Sequence, residues 1–267
     1  MRFAVAAIAV AIAGCADNPI TGRSQLLLVS EEQAIGSSAT AYSSMMGELE
    51  SKKQIESGTP RAARVREIVD RLIVEAARLR PDAANWKWEV KLIDDPKTVN
   101  AFAMAGGKTA IYSGMWEKLK ATDDEIAQVM GHEIGHAIAS HTRERMSVAL
   151  ATGVATSVAA IAVSTRDSQH SEHALAGLEL AAVLAITLPN SREAETEADR
   201  IGIELAARAG YDPNAAVSLW EKMSKLGGGP PEFLSTHPAP ERRRETLQAL
   251  AAKLEPVYQA ARRPRQP

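Results

Sequence analysis

The chain of 267 residues contains a single cysteine, Cys15. One cysteine excludes an intrachain disulfide framework and every zinc site that is built from several thiolates. A metal ion in this protein would therefore need histidine and carboxylate ligands. Aromatic residues are also scarce, at 4% of the chain, so the core must be built mainly from alanine, leucine, isoleucine and valine.

Neither sign of charge dominates, since 31 lysine and arginine residues stand against 33 aspartate and glutamate residues, for a formal net charge of −2. This balance excludes a generalised basic surface, so we expect no nucleic-acid partner. It equally excludes an acidic disordered chain, because 45% of the residues are hydrophobic and only 24% are charged. The length predicts a globular protein with one large domain or two small ones.

The N-terminus has the pattern of an export signal. Arg2 precedes a charge-free apolar run over residues 3–13, which is too short for a permanent transmembrane helix. The run leads into Ile12-Ala13-Gly14-Cys15, which resembles a bacterial lipobox, the motif whose cysteine is lipidated. An ordinary secretory signal followed by a chance cysteine is the alternative. We expect residues 1–14 to be a lipoprotein signal peptide and Cys15 to carry a lipid anchor to the membrane.

Local patterns divide the rest of the chain into a tether, one domain and a tail. Residues 15–30 mix proline, glycine and polar residues and are predicted to be a tether, and residues 259–267 to be a disordered basic tail. A Thr-Pro pair predicts a helix over residues 60–79. Alternating apolar residues predict a small antiparallel sheet within residues 86–113. The expected fold class is α+β, mainly helical, for a domain over residues 31–258.

Two apolar segments lie in the second half of the chain. Residues 146–165 carry no charge, and a second apolar helix is predicted near residues 173–188. Length alone would allow the first segment to span a membrane. Its many small residues and its lack of an aromatic belt favour burial among other helices instead. Contact of this apolar pair with a membrane stays open at this point.

A His-Glu-x-x-His motif over His132–His136 is the strongest chemical signal. A capping box formed by Thr122 and Glu125 predicts a helix from residue 123 to residue 141 or beyond. Histidines four residues apart lie on one helix face, about 6 Å apart along the axis, and can bind one zinc ion. Glu133 then points toward the open coordination position. Solvated surface histidines are the alternative, but the apolar neighbours favour a buried pair that needs a partner.

A zinc site of this kind needs a third protein ligand. The candidates are the four acids of residues 191–200, namely Glu193, Glu195, Glu197 and Asp199. Glu195 and Asp199 are four residues apart, so both could face a metal ion from one helix. A solvated acidic face is the alternative, and spacing alone does not choose the ligand among the four.

Taken together, these motifs resemble a known family. His132–His136, followed by the Glu-x-x-Ala-Asp pattern of Glu195–Asp199, resembles the M48 peptidases, gluzincins that include bacterial quality-control metalloproteases, a mitochondrial group and the CAAX prenyl proteases. The Ser-Thr-His-Pro-Ala-Pro sequence around His237 resembles the family's C-terminal loop. The family's edge-strand motif resembles the run Asn100, Ala101, Phe102 and Ala103. The similarity is greatest to the short periplasmic lipoprotein members.

The resemblance implies a zincin-like fold and a role for each matching residue. It implies one Zn²⁺ ion per chain, bound by His132, His136 and Glu195. It implies that Asp199 accepts a hydrogen bond from a ligand histidine and orients it. In some relatives the loop histidine, here His237, reaches the zinc and occupies the water position in a self-inhibited form. Capping a helix or assisting the transition state is the alternative role for His237.

His141 is not among these residues. It follows His136 by five residues, so a continuous helix would place it about 140° round the axis from that histidine. We therefore assign His141 no ligand role.

The activity implied by the resemblance is that of a zinc endopeptidase acting on misfolded or unassembled envelope proteins. Glu133 would take the proton of a water molecule and pass it to the leaving amine, while zinc stabilises the oxyanion with the help of His237 or Arg192. The substrate backbone would pair with the edge strand at residues 100–103. By family analogy, Ala16 after the cysteine favours anchoring at the periplasmic face of the outer membrane.

Two other functions remain possible from the sequence. The first is a chaperone or assembly lipoprotein that holds outer-membrane clients, together with the outer-membrane assembly machinery, with little or no turnover. The second is a structural lipoprotein stabilised by zinc. Glu133 argues against the second, because a structural site does not require a carboxylate beside an open coordination position.

Overall fold

The computed structural model of the protein describes residues 15–151, 170–187, 189–226, 231–238 and 242–262. The strands are β1 (Cys15–Asp17), β2 (Ser24–Leu26), β3 (Ile55–Glu56), β4 (Glu89–Ile93), β5 (Ala101–Met104) and β6 (Lys108–Tyr112). The helices are α1 (Glu31–Ser51), α2 (Pro60–Leu79), α3 (Gly114–Glu117), α4 (Asp123–Ile138), α5 (His141–Ala149), α6 (His170–Thr187), α7 (Arg192–Arg208), α8 (Ala215–Ser224), α9 (Glu232–Thr236) and α10 (Arg243–Arg262). A short 3-10 helix, Pro81–Asn85, follows α2. The predicted mainly helical α+β architecture is confirmed.

Helix starts follow the local signals in the sequence. Thr59 caps α2 by accepting a hydrogen bond from the backbone N–H of Ala62, and the helix has the predicted bounds. Thr122 and Glu125 form the predicted capping box at the start of α4, with each side chain bonded to the other residue's backbone N–H. These ends are fixed by residues within one turn of the helix, which is why the sequence alone predicts them.

The four-stranded sheet has the order β3-β4-β6-β5. Strand β6 is antiparallel to β5 but parallel to β4, so the sheet is mixed and the predicted antiparallel pairing throughout residues 86–113 is wrong. The physical reason is that β5 and β6 form a hairpin whose second strand lies between β4 and β5. Gly107 in the hairpin turn has φ of +82°, and a β-carbon there would lie 2.5 Å from the ring of Trp88.

Helix α4 lies at the centre of the molecule. It packs against α2, α7, α8 and strand β5. Its side chains are buried from Glu125 to Ile138, and they belong to one core with the apolar face of α2, whose Ile68 and Leu72 are fully buried. A helix surrounded in this way removes every side chain from water, including the polar ones, so its histidines need polar partners inside the protein.

Helix α4 ends at Ile138, three residues before the predicted end at residue 141. Ser140 adopts a left-handed conformation with φ of +59°, and α5 begins at the next residue. Side chains from distant parts of the chain hold the free carbonyl groups at this end. The Arg80 guanidinium donates to the carbonyl of Ile138 at 3.0 Å, and Asn18 Nδ2 donates to that of Ala139 at 3.0 Å.

Residues 15–30, predicted to be a tether, are instead packed on the domain. Strands β1 and β2 pair as an antiparallel hairpin, and the side chains of Asn18 and Gln25 are buried. Composition suggested a tether because these polar residues resemble those of a linker. Their side-chain amide nitrogens in fact donate hydrogen bonds to the carbonyl of Ala139 in the domain.

The C-terminal part of the chain remains helical longer than expected. Helix α10 continues to Arg262, so the predicted disordered tail over residues 259–267 is wrong for its first four residues. Alanine and glutamine are compatible with a helix there. The rest of that prediction, residues 263–267, lies outside the described residues.

The second predicted apolar helix is α6, which buries Ala181, Ala182 and Ala185. The first predicted apolar segment lies mostly outside the described residues, as do the predicted signal residues 1–14. Within the part of the chain that is described, no helix combines the length and the apolar character needed to cross a bilayer.

Candidate metal centre

Helices α4 and α7 approach each other closely because glycine occupies both sides of their crossing. A β-carbon on Gly131 would lie 2.7 Å from the carbonyl oxygen of Gly202, and one on Gly202 would lie 2.6 Å from the backbone nitrogen of His132. Side chains larger than hydrogen would therefore push the helices apart. The close crossing brings the histidine motif of α4 next to the acidic segment of α7.

The two motif histidines converge as the spacing predicts. His132 Nε2 and His136 Nε2 are 3.0 Å apart, and both rings are buried. Two unprotonated ring nitrogens at this distance repel each other unless a proton or a cation lies between them. Burial lowers the pKa of His136 well below its usual value, so this ring is neutral and its nitrogen lone pair is available to a metal.

Glu195 is the acid of α7 that reaches both histidines. Its Oε1 atom is 3.2 Å from His136 Nε2, and its Oε2 atom is 3.4 Å from His132 Nε2. Ser191 begins the helix one turn earlier by accepting a hydrogen bond from Ala194 N. Burial alone would raise the pKa of Glu195, but the neighbouring His237 and His132 hold it well below the usual value. Glu195 is therefore an ionised carboxylate inside the protein.

Asp199 lies behind His132. Its Oδ1 atom is 3.0 Å from His132 Nδ1, the ring nitrogen on the side away from Glu195. Because a carboxylate can only accept, His132 Nδ1 donates to it, and Nε2 is the ring nitrogen that a proton or a metal would occupy. Burial lowers the pKa of His132, but the carboxylates of Glu195 and Asp199 outweigh that effect and raise it to about 9.

Glu133 is buried beside this group, with its Oε1 atom 3.4 Å from His237 Nε2. Within the described part of the chain, that oxygen has no hydrogen-bond partner. Burial raises the pKa of Glu133 above its usual value. A carboxyl group with a raised pKa is a stronger base than an exposed one, which suits a group that accepts a proton.

His237 reaches the same point from the loop after α9. Its Nδ1 atom is 2.9 Å from Glu195 Oε1 and 3.3 Å from His132 Nε2. Asn190 Nδ2 lies 3.2 Å from His237 Nδ1, and Asn190 N donates to the Thr236 carbonyl at 3.0 Å. The ring also stacks on Phe233, with 4.3 Å between centroids. These contacts fix the imidazole against the histidine pair.

One ligating atom from each of four buried residues lies within 4.8 Å of the others, the four being His132, His136, Glu195 and His237. Three imidazole nitrogens and one carboxylate oxygen are a donor set that suits zinc. Together with the buried carboxyl group of Glu133 beside it, the arrangement fits a bound divalent cation.

Comparison with known proteins agrees with this geometry. The model of Peptidase family M48 matches residues 59–251 of the chain. The chain belongs to Peptidase family M48. Mitochondrial metalloendopeptidase OMA1 of Saccharomyces cerevisiae is 36% identical over 200 residues, which cover 70% of this chain and 55% of that protein. Metalloendopeptidase OMA1, mitochondrial, of Homo sapiens is 32% identical over 242 residues, which cover 87% of this chain and 45% of that protein.

A bacterial relative shares the same region of this M48 chain. Beta-barrel assembly-enhancing protease of Escherichia coli is 32% identical over 165 residues, which cover 60% of this chain and 34% of that protein. The chain thus spans between about a third and about half the length of these three relatives.

Three residues beside the centre of the M48 chain were missed by reasoning from sequence. Arg243 bonds Glu195 Oε2 at 3.1 Å and Asp199 Oδ1 at 2.6 Å, and it lies over the ring of Trp220. Asn190 holds the His237 loop, as described above. His141 contacts His136 because α4 ends early and the chain turns back. No local pattern marks Arg243 or Asn190, because they act through contacts between distant segments, and the place of His141 depends on the early end of α4.

The structure places the other predicted site residues as follows. Strand β5 is at the edge of the sheet, as predicted for substrate pairing, but residues 100–104 are all buried. The carbonyl of Ala103 accepts a buried hydrogen bond from Thr142 Oγ1. Arg192, one of the two residues named for oxyanion stabilisation, is exposed at the start of α7. The backbone of Cys15 begins β1.

Proposed function

We propose that this M48 chain is a zinc-dependent endopeptidase whose metal is bound by His132, His136 and Glu195. The observation that carries the proposal is the convergence of four buried ligating atoms within 4.8 Å beside Glu133. Without a cation or a proton between them, these neighbouring nitrogen lone pairs would be unfavourable in a region closed to water. The family membership and the names of the relatives support the same activity.

Different residues of the chain have different roles in the proposed reaction. A bound zinc ion would polarise the scissile carbonyl and lower the pKa of water. Glu133 accepts the proton of the attacking water and then donates it to the leaving amine nitrogen, a double role that suits its raised pKa. Asp199 holds His132 in the tautomer whose Nε2 atom faces the metal.

His237 is proposed to act as a fourth, displaceable ligand. Its Nδ1 atom is 3.3 Å from His132 Nε2, and its Nε2 atom is 3.4 Å from Glu133 Oε1. In this position the ring occupies the space that a reacting water needs next to Glu133. The loop carrying His237 must therefore move before cleavage, so the chain rests in a self-inhibited form.

We propose that the substrates are misfolded or unassembled proteins of the bacterial envelope. Two observations support this proposal: the lipobox-like sequence ending at Cys15, and the similarity to a relative named a β-barrel assembly-enhancing protease. A lipid on Cys15 would hold the enzyme at the periplasmic face of the outer membrane, near outer-membrane assembly machinery. Radiolabelled palmitate should enter the wild-type protein in growing cells and not a Cys15→Ala variant, and equal labelling of both would contradict the anchor.

Substrate backbone is proposed to pair with the outer edge of β5. Main-chain pairing supplies affinity with little demand on sequence, which suits unfolded clients. At that edge, the Thr142 hydroxyl donates a hydrogen bond to the Ala103 carbonyl. An incoming strand would replace this hydrogen bond.

Comparison of wild type with Glu133→Gln tests the function directly. We expect both proteins, extracted from membranes in mild detergent, to contain one zinc per chain, and only the wild type to cleave unfolded casein. Equal cleavage by both proteins would refute the role of Glu133. Zinc without cleavage in either, with suppression of client aggregation, would favour the chaperone function, and zinc with neither property would favour a structural role.

His237→Ala tests the resting ligand. Removal of the imidazole should raise the initial rate of casein cleavage, because water gains access without loop movement. A fall of more than about tenfold would instead assign His237 to stabilisation of the transition state.

A further inference from the structure

Behind His136, a series of hydrogen-bonded side chains leads to the hairpin formed by β1 and β2. His136 Nδ1 lies 2.9 Å from His141 Nδ1, and His141 Nε2 lies 2.9 Å from Glu197 Oε2. The His141 side chain is fully buried. The contact exists because α4 ends at Ile138 and the left-handed Ser140 turns α5 back toward His136.

The direction of each hydrogen bond in this series follows from the carboxylate of Glu197, with which the series ends. Glu197 can only accept, so His141 Nε2 donates to it. The Nδ1 atom of a neutral His141 is then an acceptor, and His136 Nδ1 must donate to it. The lone pair of His136 is thereby left on Nε2, the atom 3.2 Å from Glu195 Oε1. This series of hydrogen bonds selects the tautomer of His136 that a metal requires.

Glu197 is itself held by the hairpin of β1 and β2, which we call the N-terminal hairpin (residues 15–26). Arg23 Nε donates to Glu197 Oε2 at 3.0 Å, the Thr21 hydroxyl donates to Glu197 Oε1, and Asn18 Nδ2 lies 3.5 Å from Oε2. Arg23 also pairs with Glu144 of α5 at 2.6 Å.

The hairpin has a second contact with the same region. Asn18 Nδ2 and Gln25 Nε2 donate to the carbonyl of Ala139 at 3.0 and 3.1 Å. Ala139 is the C-cap of α4, three residues after His136. These two bonds fix the helix end from which His141 turns back.

We propose that His141 and Glu197 are positioning residues for the metal ligand His136, and that the N-terminal hairpin belongs to the outer shell of the metal centre because it holds Glu197. This inference rests on the proposed metal site. The two ligand histidines are then oriented in parallel ways, His132 by Asp199 directly and His136 by Glu197 through one intervening imidazole. Neither His141 nor the hairpin touches the metal.

Zinc affinity, measured by competition with a chromophoric chelator on the purified full chain, tests the proposal. We expect His141→Leu and Glu197→Gln each to raise the Kd for zinc about 10- to 100-fold, as loss of an outer-shell partner does. His141→Gln should restore most of the affinity, because its amide offers one donor and one acceptor. Glu193→Gln is the matched control, since Glu193 is exposed on the same helix, and its Kd should equal that of the wild type.

A second measurement reports the orientation itself. In ¹H–¹⁵N correlation spectra of the histidine rings, wild-type His136 should carry its proton on Nδ1, and the His141→Leu protein should lose that preference. The double variant His141→Leu/Glu197→Gln should bind zinc no more weakly than the worse single variant, because both changes break one chain of contacts. If His141 and Glu197 had a purely structural role, the tautomer of His136 would not change in the variants. The losses of zinc affinity in the two single variants would then add in the double variant.

Arg23→Gln provides a variant further from the centre in case the buried substitutions prevent folding. It weakens the hold on Glu197 and should raise the Kd for zinc several-fold. Wild-type Kd values in folded Glu197→Gln and Arg23→Gln proteins would overturn the inference while leaving the proposed function intact. Failure of the wild type to bind zinc would overturn both.

Discussion

A β-carbon on Gly202 would lie 2.6 Å from the backbone nitrogen of His132. The atoms in conflict belong to two helix backbones, which cannot rotate away as a side chain can. We expect Gly202→Ala to lower the free energy of unfolding by at least about 2 kcal/mol, the upper part of the range for overpacking. It should also weaken zinc binding, since it separates Glu195 from the histidine pair. Urea unfolding with and without zinc measures both effects.

Gly47→Ala is the control for that substitution. Gly47 is inside α1, and a β-carbon there would meet no atom within 4 Å. The same change should therefore stabilise the protein by about 0.5–1 kcal/mol through helix propensity. If both variants unfolded at the same urea concentration, the close crossing of α4 and α7 would not exclude a side chain at position 202.

Asp199 lies 3.0 Å from His132 Nδ1 and shares its oxygen with Arg243. Replacement by asparagine keeps an acceptor but removes the charge, so we expect zinc affinity to fall about tenfold, and about 100-fold in Asp199→Ala. The rate at which zinc is lost to excess chelator measures the change. Loss rates equal to that of the wild type in both variants would show that His132 is oriented by the backbone alone.

Arg243 balances the charge of two buried carboxylates. In the zinc-free protein, Arg243→Leu should leave Glu195 and Asp199 without that cation and cost about 3 kcal/mol. Zinc supplies positive charge at nearly the same place, so its addition should raise the Tm of the variant by more than it raises that of the wild type. Thermal unfolding of both proteins in chelator and in zinc measures the difference. Equal increases in Tm on addition of zinc to the two proteins would contradict the electrostatic role of Arg243.

Elements whose ends are set by neighbouring residues could be predicted from the sequence. Helix α2 was predicted with its observed bounds because a Thr-Pro cap and a three- and four-residue apolar period act within the same segment. The convergence of His132 and His136 likewise follows from helix geometry alone. The choice of Glu195 among the α7 acids rested on family resemblance, since spacing did not distinguish it from its neighbours.

Features that depend on contacts between distant segments could not be predicted. The parallel pairing of β4 with β6 arises because a hairpin inserts its second strand beside β4. The early end of α4 depends on donors at Asn18 and Arg80, more than 50 residues away in sequence. The packed hairpin at residues 15–26 has a linker-like composition, and only its partners reveal that it is ordered.

Stability in acid should depend on Glu125, which lies far from the metal ligands in the capping box of α4. Burial raises its pKa, but hydrogen bonds from Lys222 Nζ at 2.6 Å and Ser218 Oγ at 2.7 Å outweigh that effect and lower the pKa below its ordinary value of 4.5. A carboxyl group whose pKa is lower in the folded state stabilises the protein above its unfolded pKa, and this contribution disappears as the pH falls through the folded pKa.

The Glu125→Gln substitution isolates this contribution, because glutamine at the same position still completes the capping box with Thr122 but cannot form an ion pair with Lys222. The variant should be less stable than the wild type at about pH 7, and the difference in stability should shrink as the pH falls below 4.5 and through the lowered pKa of the folded state. Urea midpoints measured in chelator across that range test the prediction, and contributions from other carboxylates cancel in the difference. A gap that stayed constant with pH would show that the ionised form of Glu125 gains nothing from Lys222.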